Sequence, residues 1–372
     1  MQAFVSKLIF LFLSMPGSAH ILRLFYVILS VLFLVPGSLC ARIEMEHVRQ
    51  VDTLENSLDP FGEDKPMSIT LTFDIKKFQR EKHKGEYLPV HFHYQLNDTL
   101  SLEKDLQLKV RGKTRINHCS LPPFWLYFRQ TDVENEELRE ISRVKIVTHC
   151  KNSQAYEKYV LKEFLCYKIY NIISPLSFRV RLVRMSYVDT GRDNKVSEGW
   201  AFMIEPVEML AQRFNAEEIK DEGLLSRQMR PVEMNMMALF QYMIGNPDYS
   251  VPHRHNVKIL KLPGYGTGGY TAVPYDFDYS GLVNTHYALP AEFLDINSVR
   301  ERYYLGPCRP DVDIDYAIGK LNLYREEILQ LVWDFEYLDQ KDKKSVLTYL
   351  EEYFDQAEHK KSLIFGIQRT CL

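Results

Sequence analysis

The spacing of hydrophobic residues changes partway along this chain, and that change restricts the fold more than any other feature. Ser68-Ile69-Thr70-Leu71-Thr72-Phe73 alternates polar with apolar side chains, and Val90 to Tyr94 and Leu106 to Val110 look similar. Alternation with period two turns one face of an extended strand to a core and the other to water. Phe124 to Phe128 and Val144 to Val147 continue the series; Tyr156 to Ile172 has helical spacing, and two more strands are expected at Phe178 to Val188 and Trp200 to Ile204. Beyond them the spacing is mostly helical. Val232 to Ile244 is apolar on most sides and carries Met234, Met236, Met237 and Met243, a buried helix in which methionine fills gaps. Ile318 to Trp333 and Lys343 to Phe354 read as amphipathic helices. The exception is Asn256 to Leu262 and Tyr270 to Tyr275, two strands joined by Gly-rich chain. Strands followed by helices indicate an α+β protein, with a strand-rich N-terminal lobe over 66–205 and a mainly helical C-terminal lobe over 206–372 that holds the hairpin.

Charge excludes one class of partner. The 372 residues carry 46 Lys and Arg against 49 Asp and Glu, without the basic excess of a dedicated nucleic-acid binder. Residues 1–41 read as an export signal. The apolar run Leu24 to Val35 follows Arg23 and precedes Pro36-Gly37-Ser38; it suits a signal core of about 7–15 residues rather than a span of about 20. Cys40 leaves a lipoprotein signal as the rival reading, although Leu39 stands where a small residue is expected. On either reading the protein is expected in the periplasm, cell envelope or extracellular space, with the membrane involved only through the signal or a lipid anchor. Residues 42–65 form a polar leader.

Setting Cys40 aside, Cys119, Cys150, Cys166, Cys308 and Cys371 remain. An odd count leaves at least one thiol over in an oxidising compartment. Cys119–Cys150 is one possible bridge, but spacing alone does not fix the connectivity. Cys166 falls in a helical apolar pattern and reads as a buried thiol.

The residues with chemistry cluster in Gly245-Asn246-Pro247-Asp248, His255-Asn256 and Tyr275-Asp276-Phe277-Asp278. Asp248 follows the Met-rich helix, Asn256 opens the first hairpin strand, and Asp276 and Asp278 end the second. The start of one hairpin strand lies beside the end of the other, so Asn256 and Asp276 are expected neighbours. Carboxylates and an amide converging there would suit a hard cation such as Mg2+ or Mn2+. In a regular strand Asp276 and Asp278 would point the same way. Taken singly, Asp248 and Asn256 are ordinary turn formers; the hairpin is what makes them a set. Gly264-Tyr265-Gly266-Thr267-Gly268-Gly269 satisfies G-x-G-x-x-G, yet it joins two strands instead of opening a helix, so it reads as a hairpin tip and not a dinucleotide fingerprint. His91 with His93, and His253 with His255, lack a clear third zinc ligand; His253 and His255 read instead as polar neighbours shaping the Asp248 loop.

The order Asp248, Asn256, Asp276 resembles that of protein-kinase-like enzymes. With Val110-Arg111-Gly112-Lys113-Thr114 and Gly199-Trp200-Ala201-Phe202-Met203-Ile204-Glu205, the chain is similar to the CotH family of exported atypical kinases over roughly Leu106 to Gly281. The resemblance implies a two-lobed protein-kinase-like fold that binds ATP with Mg2+ or Mn2+. It implies that Asp248 orients or deprotonates the acceptor hydroxyl, and that Asn256 and Asp276, with Asp278 beside them, hold the metal. Lys145 would meet the α/β phosphates with Glu163 paired to it, Arg111 and Lys113 would contact phosphate, and Glu205 would begin the hinge. Asp278 stands where such kinases have Gly, and the N-terminal half has no Gly-rich phosphate loop. The acceptor would be a hydroxyl of an exported protein. A noncatalytic binding module of the cell envelope is the alternative.

Overall fold

The structure, a computed structural model, describes residues 60–95, 101–112, 114–128, 142–220, 223–266 and 268–372. The expected export signal, most of the polar leader and Lys113 lie outside these residues.

Seven strands form the first half: β1 (Met67–Phe73), β2 (Tyr87–Gln95), β3 (Ser101–Val110), β4 (Phe124–Tyr127), β5 (Arg143–Val147), β6 (Val180–Asp189) and β7 (Lys195–Ile204). Among the described residues three helices interrupt them: α1 (Ile75–Glu81), α2 (Arg115–His118) and α3 (Gln154–Ile173). Alternation is visible in β1, where Met67, Ile69, Leu71 and Phe73 are all buried. With Phe92, Leu108, Phe124, Ile146 and Met185 they fill one core. α1 starts where Asp74 accepts the Lys77 amide at 2.7 Å, a side-chain cap on a free helix-end donor.

The two-lobed kinase-like fold expected from the resemblance is not what the strands build. They close into a barrel in the order β1-β2-β3-β4-β5-β7-β6. The closing contact is parallel, β1 against β6 from Met67 opposite Val183 to Phe73 opposite Asp189, whereas the other barrel neighbours are antiparallel. Alternation predicts that a segment is a strand, not which distant strand it pairs with, so the closure was invisible in the sequence. Asp189 locks the seam from its end: Oδ1 accepts the amides of Ile75 and Gly191, each at 3.0 Å.

The second half contains α4 (Val207–Arg213), β8 (Glu217–Ile219), a 3-10 turn at Ser226–Gln228, α5 (Pro231–Met243), β9 (Val257–Lys261), β10 (Tyr270–Pro274), α6 (Asp311–Asn322), α7 (Arg325–Asp334), α8 (Gln340–Glu358) and α9 (Lys360–Thr370). α5 opens on proline, tolerated where helix amides have no partner, and buries Met234, Met236, Met237 and Met243. The helix expected over Ile318 to Trp333 is two, broken at Leu323-Tyr324. β9 and β10 are the expected hairpin, in register from Tyr270 opposite Lys261 to Pro274 opposite Val257, and β8 extends it to three strands. A second core joins α3 and the inner ends of β6 and β7 to α5 and the C-terminal helices.

α3 is buried along most of its length. Its first turns are tied to the start of α8: Lys158 reaches Asp339 and Asp342 at 2.7 and 2.6 Å, and Lys162 reaches Asp342 at 2.7 Å. Among the described residues the bridges are Cys119–Cys150 and Cys308–Cys371, and Cys166 is free and buried, consistent with the odd count. Among the described residues no helix is long and apolar enough to cross a membrane.

Candidate active site

Four elements converge on one group of charges. β5 supplies Lys145, α3 supplies Glu163, the single turn α2 supplies Arg115, and the chain leaving β10 supplies Asp276 and Asp278. Glu163, Asp276 and Asp278 bring ligand atoms within 4.8 Å of one another. Asp276 is not in regular strand conformation; its φ is +66°, and its amide donates to the Tyr167 hydroxyl at 2.8 Å. The two aspartates therefore meet through a left-handed residue and a turn, not through strand periodicity.

Arg115 sits between two of the acids. Its Nη2 donates to Glu163 Oε2 at 2.6 Å and its Nε to Asp278 Oδ2 at 2.8 Å. Asp278 also accepts from the Tyr287 hydroxyl at 3.1 Å. Burial pushes the Glu163 carboxyl up to about 8 against the pull of Arg115, and burial raises Asp278 as well. Desolvation disfavours the charged form of an acid, while a nearby cation favours it. Asp276 is the most exposed of the three, its side chain 28% accessible.

Lys145 is expected to pair with Glu163, but Arg115 occupies Glu163 instead. The lysine lies 3.9 Å from Asp276 Oδ2 and 5.0 Å from the centre of the Tyr275 ring. Among the described residues its buried Nζ has no hydrogen-bond partner, and neither does Glu163 Oε1. Buried ammonium groups are costly unless paired and hydrogen-bonded, so these two atoms mark a place where a polar ligand would complete the bonding. An all-oxygen donor set fits Mg2+ or Mn2+, and the ammonium beside Asp276 fits an anion carried with it.

A second carboxylate stands apart. Asp248 accepts from Asn256 Nδ2 at 2.9 Å on Oδ2, and from His255 Nε2 at 2.8 Å on Oδ1. The Asn256 amide also bonds the Asp248 carbonyl at 2.8 Å. Asn256 and the end of β10 are neighbours, as the hairpin argument requires: the Tyr275 amide donates to Asn256 O at 2.9 Å. The Asn256 side-chain nitrogen, however, is committed to Asp248. Gly245 fixes the approach of this loop. It has φ +63° and no room for a Cβ beside the Tyr349 hydroxyl, and its carbonyl accepts the Gly281 amide at 2.8 Å. The loop is thereby pinned to the turn after Asp278.

Of the remaining candidates, Glu205 and His91 are engaged away from this group. Glu205 is buried under Arg179 and Arg213, whose Nε atoms each donate to Oε1 at 2.9 Å; its carboxylate is used inside the protein. Arg111 lies against the Trp125 ring, 5.4 Å from its centre, and its charge acts on the Tyr275 hydroxyl. His91 pairs with Asp105 at 2.9 Å, and neither it nor His93 belongs to a cation-binding group among the described residues.

Sequence reasoning missed Arg115, one residue beyond the segment it singled out, and Tyr287. It read His255 as a polar neighbour shaping the Asp248 loop, and His255 bonds Asp248 at 2.8 Å. The His255-Asn256 doublet was the available signal, since adjacent donors in a tight turn can serve one acceptor.

No family model matches the chain, and no curated protein matches it. Among solved structures it is similar to the proinflammatory kinase CtkA of Helicobacter pylori, at 11% identity over 70% of this chain and 95% of that one, with a TM-score of 0.37. That likeness is too distant to carry an argument, and the CotH-type resemblance has no family match behind it.

Proposed function

We propose that the protein is an exported, ATP-dependent phosphotransferase acting on a hydroxyl of another exported protein. The observation that carries this reading is the buried Lys145 ammonium, without a hydrogen-bond partner among the described residues, 3.9 Å from Asp276 at the convergence of Glu163, Asp276 and Asp278. A cation held by the three carboxylates and a phosphate held by the lysine would satisfy one another's charge. Asp276 and Asp278 would hold Mg2+ or Mn2+, with Glu163 behind them; the bound ion would supply charge neutralisation at the phosphate oxygens. Lys145 binds and orients the phosphate chain. Asp248, partly exposed and fixed by two donors, receives the acceptor's proton as the new P–O bond forms and the bond from the γ-phosphorus to the β-phosphate oxygen breaks. Such transfer depends mainly on positioning and charge stabilisation. Export is supported by the two disulfides, which persist in oxidising compartments.

The test is a thermal shift with Mg2+ or Mn2+ plus ATP, repeated in Asp276→Asn, alongside intact-mass spectrometry for a phosphate adduct. A shift lost in the variant, with an adduct on the native chain or on a co-incubated protein, supports transfer. No shift with either cation at millimolar ATP defeats the reading.

One observation favours a noncatalytic binding module. Arg115 already neutralises part of the acidic group, as a site kept for structure would require. A shift without any adduct or phosphate release decides for that module.

A further inference from the structure

Arg115 rides on α2, a helix of four residues with no side-chain cap. An isolated turn has little stability of its own, yet this one must hold a guanidinium between two buried carboxylates. Directly after the turn, the Cys119 amide donates to Arg115 O at 2.9 Å, and Cys119 is disulfide-bonded to Cys150. Cys150 lies in the connection from β5 to α3, the elements that carry Lys145 and Glu163. Around the bridge the Leu121 amide donates to Cys150 O at 2.9 Å. The Thr148 hydroxyl donates to Leu121 O at 2.5 Å and Lys82 Nζ to Cys119 O at 2.8 Å. Both cysteines are buried. The other bridge, Cys308–Cys371, joins the segment before α6 to the end of α9, neither of which carries a site residue.

We infer that the Cys119–Cys150 bridge is a positioning element of the site. It fastens the Arg115 turn to the chain between Lys145 and Glu163, and so fixes the guanidinium between Glu163 and Asp278. The tether follows from the geometry alone; its consequence for cation binding rests on the function proposed above.

The tether is tested by solvent exchange of the Arg115 Nε–H, observed by NMR in isotope-labelled protein and assigned with Arg115→Lys. Opening the bridge with Cys119→Ser and Cys150→Ser together should speed that exchange about tenfold or more, because local protection tracks local opening. Opening Cys308–Cys371 in the same way should leave it unchanged. If the serine pair does not fold, phosphine reduction of folded Cys308→Ser/Cys371→Ser protein opens the same bridge. An exchange rate indifferent to the Cys119–Cys150 bridge overturns the inference.

The second arm is a Mn2+ titration read by electron paramagnetic resonance. Opening Cys119–Cys150 should change the Kd about tenfold, and the change should vanish in Arg115→Gln. An equal change in both backgrounds would show that the bridge acts without Arg115, which also overturns the inference. If no variant binds Mn2+ while the exchange result holds, the tether stands and the phosphotransferase reading falls.

Discussion

The acidic group on Glu163, Asp276 and Asp278 and the single acid Asp248 are built in opposite ways. The first is largely buried, charge-balanced by Arg115 and Lys145, and contains two polar atoms without partners among the described residues. Asp248 is about a third exposed, and each of its oxygens accepts one side-chain donor. Burial strengthens every charge interaction but makes an unpaired group costly, so the first group suits holding a multivalent ligand. Partial exposure with fixed donors keeps a carboxylate oriented and reachable, which on the proposed reading suits meeting a substrate hydroxyl. On the function proposed above, the contrast would divide binding from proton transfer.

The sharpest way to break that division is to exchange the phenotypes. Asp276→Asn should abolish both the cation-dependent nucleotide shift and transfer. Asp248→Ala should lower transfer by about 100-fold to 10,000-fold, the usual worth of a general base, while the ATP dissociation constant from calorimetry stays nearly unchanged. If Asp248→Ala weakens ATP as much as Asp276→Asn does, the two groups are one site.

Next in size is Arg115→Met. Removing the cation from between two buried carboxylates should cost about 3–5 kcal/mol in chemical denaturation, partly restored by Mg2+. A neutral result would mean that Glu163 and Asp278 share protons and do not need the guanidinium.

Acidity gives a further test of the buried group. Glu163 titrates in the folded protein at about 8 because of burial, above an unfolded glutamate, so the native state binds the extra proton across that interval. Its contribution is therefore fully present below the ordinary carboxylate range and is lost as pH rises toward and through about 8. Denaturation midpoints should fall over that window, and Glu163→Gln should flatten the decline. The smallest effect is expected of His255→Gln, a loss of about tenfold to 100-fold in transfer from misorientation of Asp248, with nucleotide affinity intact.

The hairpin and its acids were legible because their neighbourhood is local: β9 and β10 follow one another, and register alone sets Asn256 beside the end of β10. Lys145 could be read as a strand lysine, but its partner could not, since the competitor for Glu163 is a residue on a four-residue turn with no periodicity of its own. Glu205 shows the converse limit. A glutamate at the end of a strand reads the same whether it faces a ligand or, as here, two arginines. The seven strands were visible as strands while the parallel seam between β1 and β6 was not, because strand patterning carries no information about a partner more than a hundred residues away.

That seam also governs the order in which the chain can be assembled. β1 acquires β2 early, but its other edge stays bare until β6 has been made, and pairing across so long an interval is slow. An uncovered strand edge invites pairing with other chains. A chain assembled from its N-terminal strands onward would thus keep its first strand half-satisfied until β6 is in place and Asp189 caps the join.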